Sequence, residues 1–310
     1  QMVKLLKIYK NLDIQSKHKG SIILIGNFDG LHLGHQKLFR LAKNFKKKYS
    51  LKIGVLTFEP MPKMFFNKNL KNFRISNLKQ KISLLKNFDV DFIILKKFNK
   101  SFSKTKSINF IKNILSSKLK AKFIFVSNNF RFGNKREGNV RQLIKYESFY
   151  KYKIIKPKPL IKSKKIISSS LIRNLIQKGK LNQANKFLDR KWSIEGKVLK
   201  GRQLGKKIGF PTANIDIKNY IIAKPGVYTV SVKKQNSTKF IKGIANLGYR
   251  PTFNQKKILL EVHLFNFSGN LYNKYLTVNF LNFIRKEKKF KNIGLLQKQI
   301  KKDLLRAKNT

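Results

Sequence analysis

Residues 21–35 read SIILIGNFDGLHLGH. An unbroken apolar run passes into a turn carrying Gly26, Gly30 and Gly34, and from Gly34 to residue 49 the pattern is that of an amphipathic helix. A short apolar run without polar alternation suits a strand buried on both faces, and such strands belong to parallel sheets flanked by helices. The turn that follows a strand of this kind lies at the carboxyl edge of the sheet, where ligands bind. Further strands are expected at 51–58, 91–95 and 123–126, with helices at 77–87 and 107–118. The first half therefore reads as α/β, a Rossmann-like doubly wound parallel sheet.

The turn itself carries chemistry. Gly30 and Gly34 let backbone approach a phosphate, and the free N–H groups of the helix start favour an anion. His32 and His35, three apart, can both point at one phosphate and donate hydrogen bonds to charge growing on its oxygens. Either histidine alone would read as a satisfied core residue. Together with Gly26, Phe28, Asp29, Gly30 and Gly34 they make a pattern of seven specified residues, G-x-F-D-G-x-H-x-G-H. It resembles the phosphate-binding turn of the HxGH-type nucleotidyltransferases. Downstream, residues 168–173 (SSSLIR) put hydroxyls at a helix start with Arg173 one turn in, an arrangement suited to β- and γ-phosphates. Ser169, Ser170 and Arg173 resemble the ISSTxIR motif of the same superfamily, with Ser170 in place of Thr. Gly179 ends that helix, and a short helix follows at 181–188.

Beyond Trp192 the texture changes to alternating strands with Gly-rich turns: SIEGKVL, GVYTVSV, KFIKGIANL, LLEVHLF and LTVNFLNFI. This is the signature of a small antiparallel β-barrel, closed by a terminal helix at 294–307. The expected boundary falls near 185–190, giving domains 1–186 and 187–310. Residues 201–214 (GRQLGKKIGFPTAN) fail the Walker A comparison, because only three residues separate Gly201 from Gly205 and no Ser or Thr follows Lys206. Gly205, Gly209 and Pro211 are expected to hold nucleotide phosphates in another way. Thr212 and Asn214 lie two apart, so on an extended segment they share a face and offer a hydroxyl and an amide oxygen to a Mg²⁺–nucleotide; a plain Gly/Pro-rich turn is the competing reading. Glu261 and His263 alternate with apolar neighbours and share one side of a strand. Glu261 is a candidate general base, with a surface ion pair as the alternative.

Charge and composition narrow the partners. The 71 Lys and Arg against 13 Asp and Glu give +58, which suggests nucleic acid. The excess is nearly all Lys, with eleven Arg, and runs from Lys4 to Lys308 without forming a stripe. Abundant Lys, Asn, Ile and Phe share A/T-rich codons, so no nucleic-acid partner is expected; the excess can still attract ATP. Without cysteine, and with four histidines, thiolate chemistry is excluded and a zinc site has few ligands, which leaves Mg²⁺ on oxygen atoms. No apolar run approaches a membrane span, so no membrane partner and a cytoplasmic location are expected.

The motifs GFPTAN, PGVYTV, GIANLGYRPTF, EVHLF and NFIRKEKKF follow in that order and resemble the bacterial riboflavin kinase module. Behind an HxGH domain containing residues 128–133 (NNFRFG), the whole is similar to the bifunctional riboflavin kinase/FAD synthetase family over nearly all 310 residues. The resemblance implies that riboflavin is phosphorylated to FMN, and FMN adenylylated to FAD with release of pyrophosphate, with ATP and Mg²⁺ as cosubstrate and cofactor. It also implies a six-stranded kinase barrel, Thr212 and Asn214 at the metal, Glu261 as base, and Asn129, Phe130 and Arg285 near flavin. The sequence departs from the family pattern at Met61, Ser127, Asn139, Asn270 and Asn273. An HxGH enzyme of other specificity would account for the first half and leave the barrel idle; a basic nucleic-acid binder would account for the charge and for neither motif set.

Overall fold

The computed structural model describes residues 6–199, 210–251 and 256–308. By contacts the chain divides into two units. The first takes Gln1–Lys71 and Leu78–Ser168; the second takes Asn72–Asn77 and Ser169–Thr310.

The first unit is built on a six-stranded parallel sheet. Its strands are β1 (Lys7–Tyr9), β2 (Ile22–Ile25), β3 (Ile53–Glu59), β4 (Phe92–Lys97), β5 (Phe123–Phe125) and β6 (Lys153–Ile155), in the order β1-β4-β3-β2-β5-β6. Residues Ile22 and Leu24 face one core with Phe39, Val55 and Phe125, while Ile23 and Ile25 face another with Leu56, Ile94 and Ile124. That two-sided burial explains why β2 is written without a polar alternate. Helices α1 (Leu33–Tyr49) and α2 (Leu78–Lys86) follow β2 and β3. Where a helix was expected at 107–118, one turn at Ser107–Asn109 runs into a wide π-type helix, Phe110–Lys118, whose Phe110, Ile111, Ile114 and Leu115 are buried. Strands β1 and β6 were not legible, being three residues each and, in part, exposed.

The second unit begins with α3 (Ser169–Gln177) and α4 (Leu181–Leu188), the Gly179 between them adopting φ +71°. A closed six-stranded barrel follows: β7 (Ser193–Leu199), β8 (Ala213–Ile215), β9 (Gly226–Lys234), β10 (Ile241–Pro251), β11 (Lys256–Leu264) and β12 (Tyr275–Arg285), in the order β7-β8-β11-β10-β9-β12. All pairs are antiparallel. Inward residues such as Ile194, Tyr228, Val230, Ala245, Leu260, Val262 and Val278 fill it, and Phe280 packs on Trp192 and Tyr228 at 4.7 and 5.1 Å between ring centroids. The terminal helix α5 (Ile293–Lys308) lays Ile300, Leu304 and Ala307 on Val227 and Ile244.

Residues 72–77 belong to this second unit. Ile221 N–H donates to the Arg74 carbonyl at 2.8 Å, Asn72 donates to Tyr220 O at 3.0 Å, and the Trp192 indole N–H donates to Ile75 O at 2.9 Å. Nothing in the local pattern of residues 72–77 announces a partner more than a hundred residues away.

Candidate functional site

In the first unit β2 lies between β3 and β5, so the chain turns in opposite directions after β2 and after β5. This is the switch point of an open parallel sheet, where the carboxyl ends of two strands leave a crevice. Residues 26–35 follow β2 and residues 126–132 follow β5. The sequence motif and the NNFRFG loop thus come to one edge.

The first turn is tightly held. Gly26 N–H donates to Leu56 O at 3.1 Å. Phe28 at φ 47°, Gly30 at φ 79° and Leu31 at φ 36° all occupy left-handed backbone, and Phe28, Asp29 and Leu31 are buried. Unfavourable backbone at two bulky residues persists only where packing over-determines it. A Cβ at Gly34 would come within 3.1 Å of the His32 ring and 3.2 Å of Ile167 O, so a side chain there would make its neighbours give by a few tenths of an ångström. His32 is the N-cap of α1: its Nδ1 accepts from His35 N–H at 3.4 Å. With Nδ1 accepting, a neutral His32 carries its proton on Nε2, the donor a phosphate oxygen would meet. The His32 and His35 rings stack at 3.7 Å with planes 20° apart, and Phe28 meets His35 edge-on at 5.3 Å.

One residue of this site carried no signal in the motif. Lys81 on α2 is 3% exposed and sends its ammonium to Asn27 O at 3.3 Å and Thr57 Oγ1 at 3.2 Å. A buried cation on the carbonyl that opens the turn fixes that turn and places positive charge beside it. A lysine heading the KISLL stretch, ahead of Ile82, Leu84 and Leu85, is the trace it leaves in sequence.

On the neighbouring loop Asn129 is exposed and takes the Ser127 hydroxyl at 3.0 Å, and Phe130 is half-buried, stacked on Phe132. The departures from the family pattern are locally accommodated. Ser127 supplies that hydroxyl, Asn139 caps the helix Val140–Lys145 by accepting from Gln142 N–H at 3.0 Å, Asn270 accepts from Tyr272 N–H, and Asn273 takes φ 61°, which Asn tolerates. Met61 is buried ahead of a short helix.

Within the second unit Arg173 on α3 stacks its guanidinium on Phe73, 3.7 Å from the ring centroid, and donates Nε–H to Phe73 O at 2.9 Å. Ser169 and Ser170 open the same helix. Among residues 201–214, Gly205 and Gly209 lie outside the described residues; Pro211 is exposed, and its carbonyl lies 2.9 Å from His263 Nδ1. Thr212 is exposed directly ahead of β8, and Asn214 within β8 lies opposite Glu261 on β11. Their inward neighbours Ala213 and Val262 are buried in the barrel, so Asn214 and Glu261 share its outer face. Asn214 Oδ1 is buried without a hydrogen-bond partner among the described residues. An orphaned amide oxygen beside an exposed hydroxyl and a carboxylate fits Mg²⁺, which takes oxygen donors and keeps phosphate and water as its other ligands. No group of three or more His, Asp or Glu that could hold a metal occurs among the described residues.

Arg285 is paired with an acidic residue of the terminal helix. Its Nε and Nη2 hold Asp303 on α5 at 2.6–3.0 Å, Nη1 donates to Lys286 O, and Asp303 is 1% exposed. This two-pronged pair ties the end of β12 to α5.

Comparison with known proteins agrees with both halves. The family model for FAD synthetase matches residues 14–171, and that for riboflavin kinase matches residues 188–310. A bifunctional riboflavin kinase/FMN adenylyltransferase of Buchnera aphidicola (subsp. Schizaphis graminum) is 40% identical over 97% of this chain and 97% of its own. The protein of that name from Escherichia coli is 33% identical over 99% and 97%. A crystal structure described as a macrolide-efflux protein from Streptococcus pneumoniae superposes with TM-score 0.86 at 29% identity, covering 98% of each chain. That description stands apart from the other matches, and no helix among the described residues here is long and apolar enough to cross a membrane. With both family models matched in order and relatives aligned over 97–99% of its length, the chain belongs to the bifunctional riboflavin kinase/FMN adenylyltransferase family, which carries riboflavin to FMN and FMN to FAD.

Proposed function

We propose that the two ATP-dependent steps are performed by the residue sets described above. In the barrel, Glu261 takes the proton of the riboflavin 5′-hydroxyl. The freed oxygen forms a bond to the γ-phosphorus of ATP as the bond from that phosphorus to ADP breaks, giving FMN and ADP. Thr212 and Asn214 would hold a Mg²⁺, which when bound would supply charge neutralisation at the transferring phosphate.

In the first unit an oxygen of the FMN phosphate attacks the α-phosphorus of a second ATP, and the bond to the β-phosphate breaks to release pyrophosphate. His32 and His35 donate to the α-phosphoryl oxygens, assisted by N–H groups at the start of α1. The nucleophile is already ionised at neutral pH, so no general base is required. Asn129 and Phe130, on the second loop of the crevice, are assigned to the flavin. Ser169, Ser170 and Arg173 are assigned to β- and γ-phosphates on the chemistry of their motif. Arg285 is assigned to the neighbourhood of the flavin on the family resemblance, its guanidinium positioned by Asp303 on α5.

The observation that carries this reading is the direct cross-strand pairing of Glu261 with Asn214, whose amide oxygen is buried and unpartnered. The test is Glu261→Gln, followed chromatographically with riboflavin or FMN as substrate. FMN formation should fall by about 10²–10⁴-fold while FAD formation from supplied FMN is unchanged. Loss of both activities together would overturn the division of labour.

A further inference from the structure

Glu261 has a second cross-strand neighbour. Asn214 on β8, Glu261 on β11 and Asn246 on β10 stand in one register row, Glu261 pairing with both asparagines. Directly opposed residues project to the same face, and the row alongside (Ala213, Val262, Ala245) is buried inside the barrel, so all three polar side chains lie on its outer face. Asn246 Oδ1, like Asn214 Oδ1, is buried without a hydrogen-bond partner among the described residues. Two orphaned amide oxygens thus flank the carboxylate, one on each side.

The space around Asn246 is already filled along its own strand. Ile244 packs with Val227 and Ala307, and a Cβ at Gly248 would run into the Glu287 carboxylate. Across the sheet the next partner of Asn246 is Val227, so the polar row ends at Asn246. The polar row therefore continues from Asn246 only toward Glu261.

Strands lie about 4.8 Å apart, which puts Asn214 and Asn246 roughly 10 Å apart across Glu261. A Mg²⁺ with ligands at about 2 Å would require both amides to lean over the carboxylate to share it. In-line transfer places donor and acceptor on opposite sides of the phosphorus, with the base beside the acceptor oxygen. If Asn214 marks the nucleotide side, Asn246 marks the acceptor side.

We propose that Asn246 accepts a hydrogen bond from a ribityl hydroxyl of riboflavin, holding the polyol chain so that its terminal hydroxyl meets Glu261. The assignment rests on the reading of Glu261 as the base. It makes Asn246 a substrate-positioning residue that selects for a hydroxylated chain.

The experiment is steady-state kinetics of full-length Asn246→Ala with riboflavin and with its 2′-, 3′- and 4′-deoxy analogues. The expected result is a rise in KM for riboflavin of about five- to tenfold, the size of one neutral hydrogen bond, with KM for Mg–ATP and the Mg²⁺ requirement unchanged. FAD formation from FMN by the same preparation should match wild type, which reports an intact first unit, and a urea midpoint matching wild type reports an intact barrel. One deoxy analogue should be handled equally by wild type and variant, because it has already lost the contact. A raised Mg²⁺ requirement would make Asn246 a metal ligand, and an equal penalty across all analogues would make it merely structural; either overturns the proposal. Retention of kinase activity by Glu261→Gln would instead sink the base assignment, while the analogue comparison would still read the polyol contact.

Discussion

The imidazole of His35 stacks on that of His32, 3.7 Å away between ring centroids, and the backbone N–H of His35 is received by His32 Nδ1. Each histidine thus helps orient the other. His35→Ala removes a phosphate donor and the stacking partner of His32 together. FAD formation from FMN should drop by about 10²–10³-fold, while riboflavin phosphorylation persists. Unchanged FAD output in the chromatographic assay would remove His35 from the chemistry.

Asn214→Ala should shift the metal dependence of the kinase step. With its amide oxygen gone, half-saturation by Mg²⁺ should rise by about tenfold or more, whereas KM for riboflavin changes little. Chelation with EDTA should abolish FMN formation, and Mg²⁺ titration of the variant checks the shift.

His18 makes stability depend on pH. It stacks on Phe92 at 4.4 Å, its Nδ1 is 2.7 Å from the Tyr9 hydroxyl, and burial first, then Lys52 and Lys17, lower its pKa below the ordinary 6.5 against a smaller opposing pull from Asp91. With the folded pKa depressed, the unfolded chain binds the proton more readily, so this group's contribution falls as pH drops below about 6.5. Wild-type Tm should decline from about pH 8 to about pH 5 more steeply than that of His18→Phe. Parallel pH profiles in thermal unfolding would contradict this.

Trp192→Phe should destabilise the barrel unit. The change leaves the carbonyl of Ile75, a fully buried residue, without its indole donor, a cost of about 1–3 kcal/mol. A lower urea midpoint with an unchanged slope is the expected readout.

Much of the fold was legible because its signals are local. The β2 run, the turn with Gly30 and Gly34, and the alternation of β7, β9, β10, β11 and β12 each lie within a dozen residues. Strand β8 was harder: three residues after Pro211 give too short a pattern, and it was expected only through the family's six strands. Thr212, Asn214 and Glu261 were legible as donor types, but the pairing of Asn214 with Glu261 is a matter of register between strands far apart in sequence. Lys81 and Asn246 were missed for the same reason, since their burial and partners are set by distant backbone. The commitment of Arg285 to Asp303 depends on where α5 lands, which no motif specifies.

The assignment of Asn72–Asn77 to the second unit bears on how this polypeptide could be dissected. The chain passes between units at 71/72, 77/78 and 168/169, so no single cut yields both intact. A kinase fragment beginning at residue 187 would keep Trp192 and Tyr220 but forfeit the backbone carbonyls and amides of residues 72–77 that they and their neighbours use. Fusion here has become a structural dependence: the downstream catalyst borrows six residues from the upstream one, and modular swapping would have to carry that loan along.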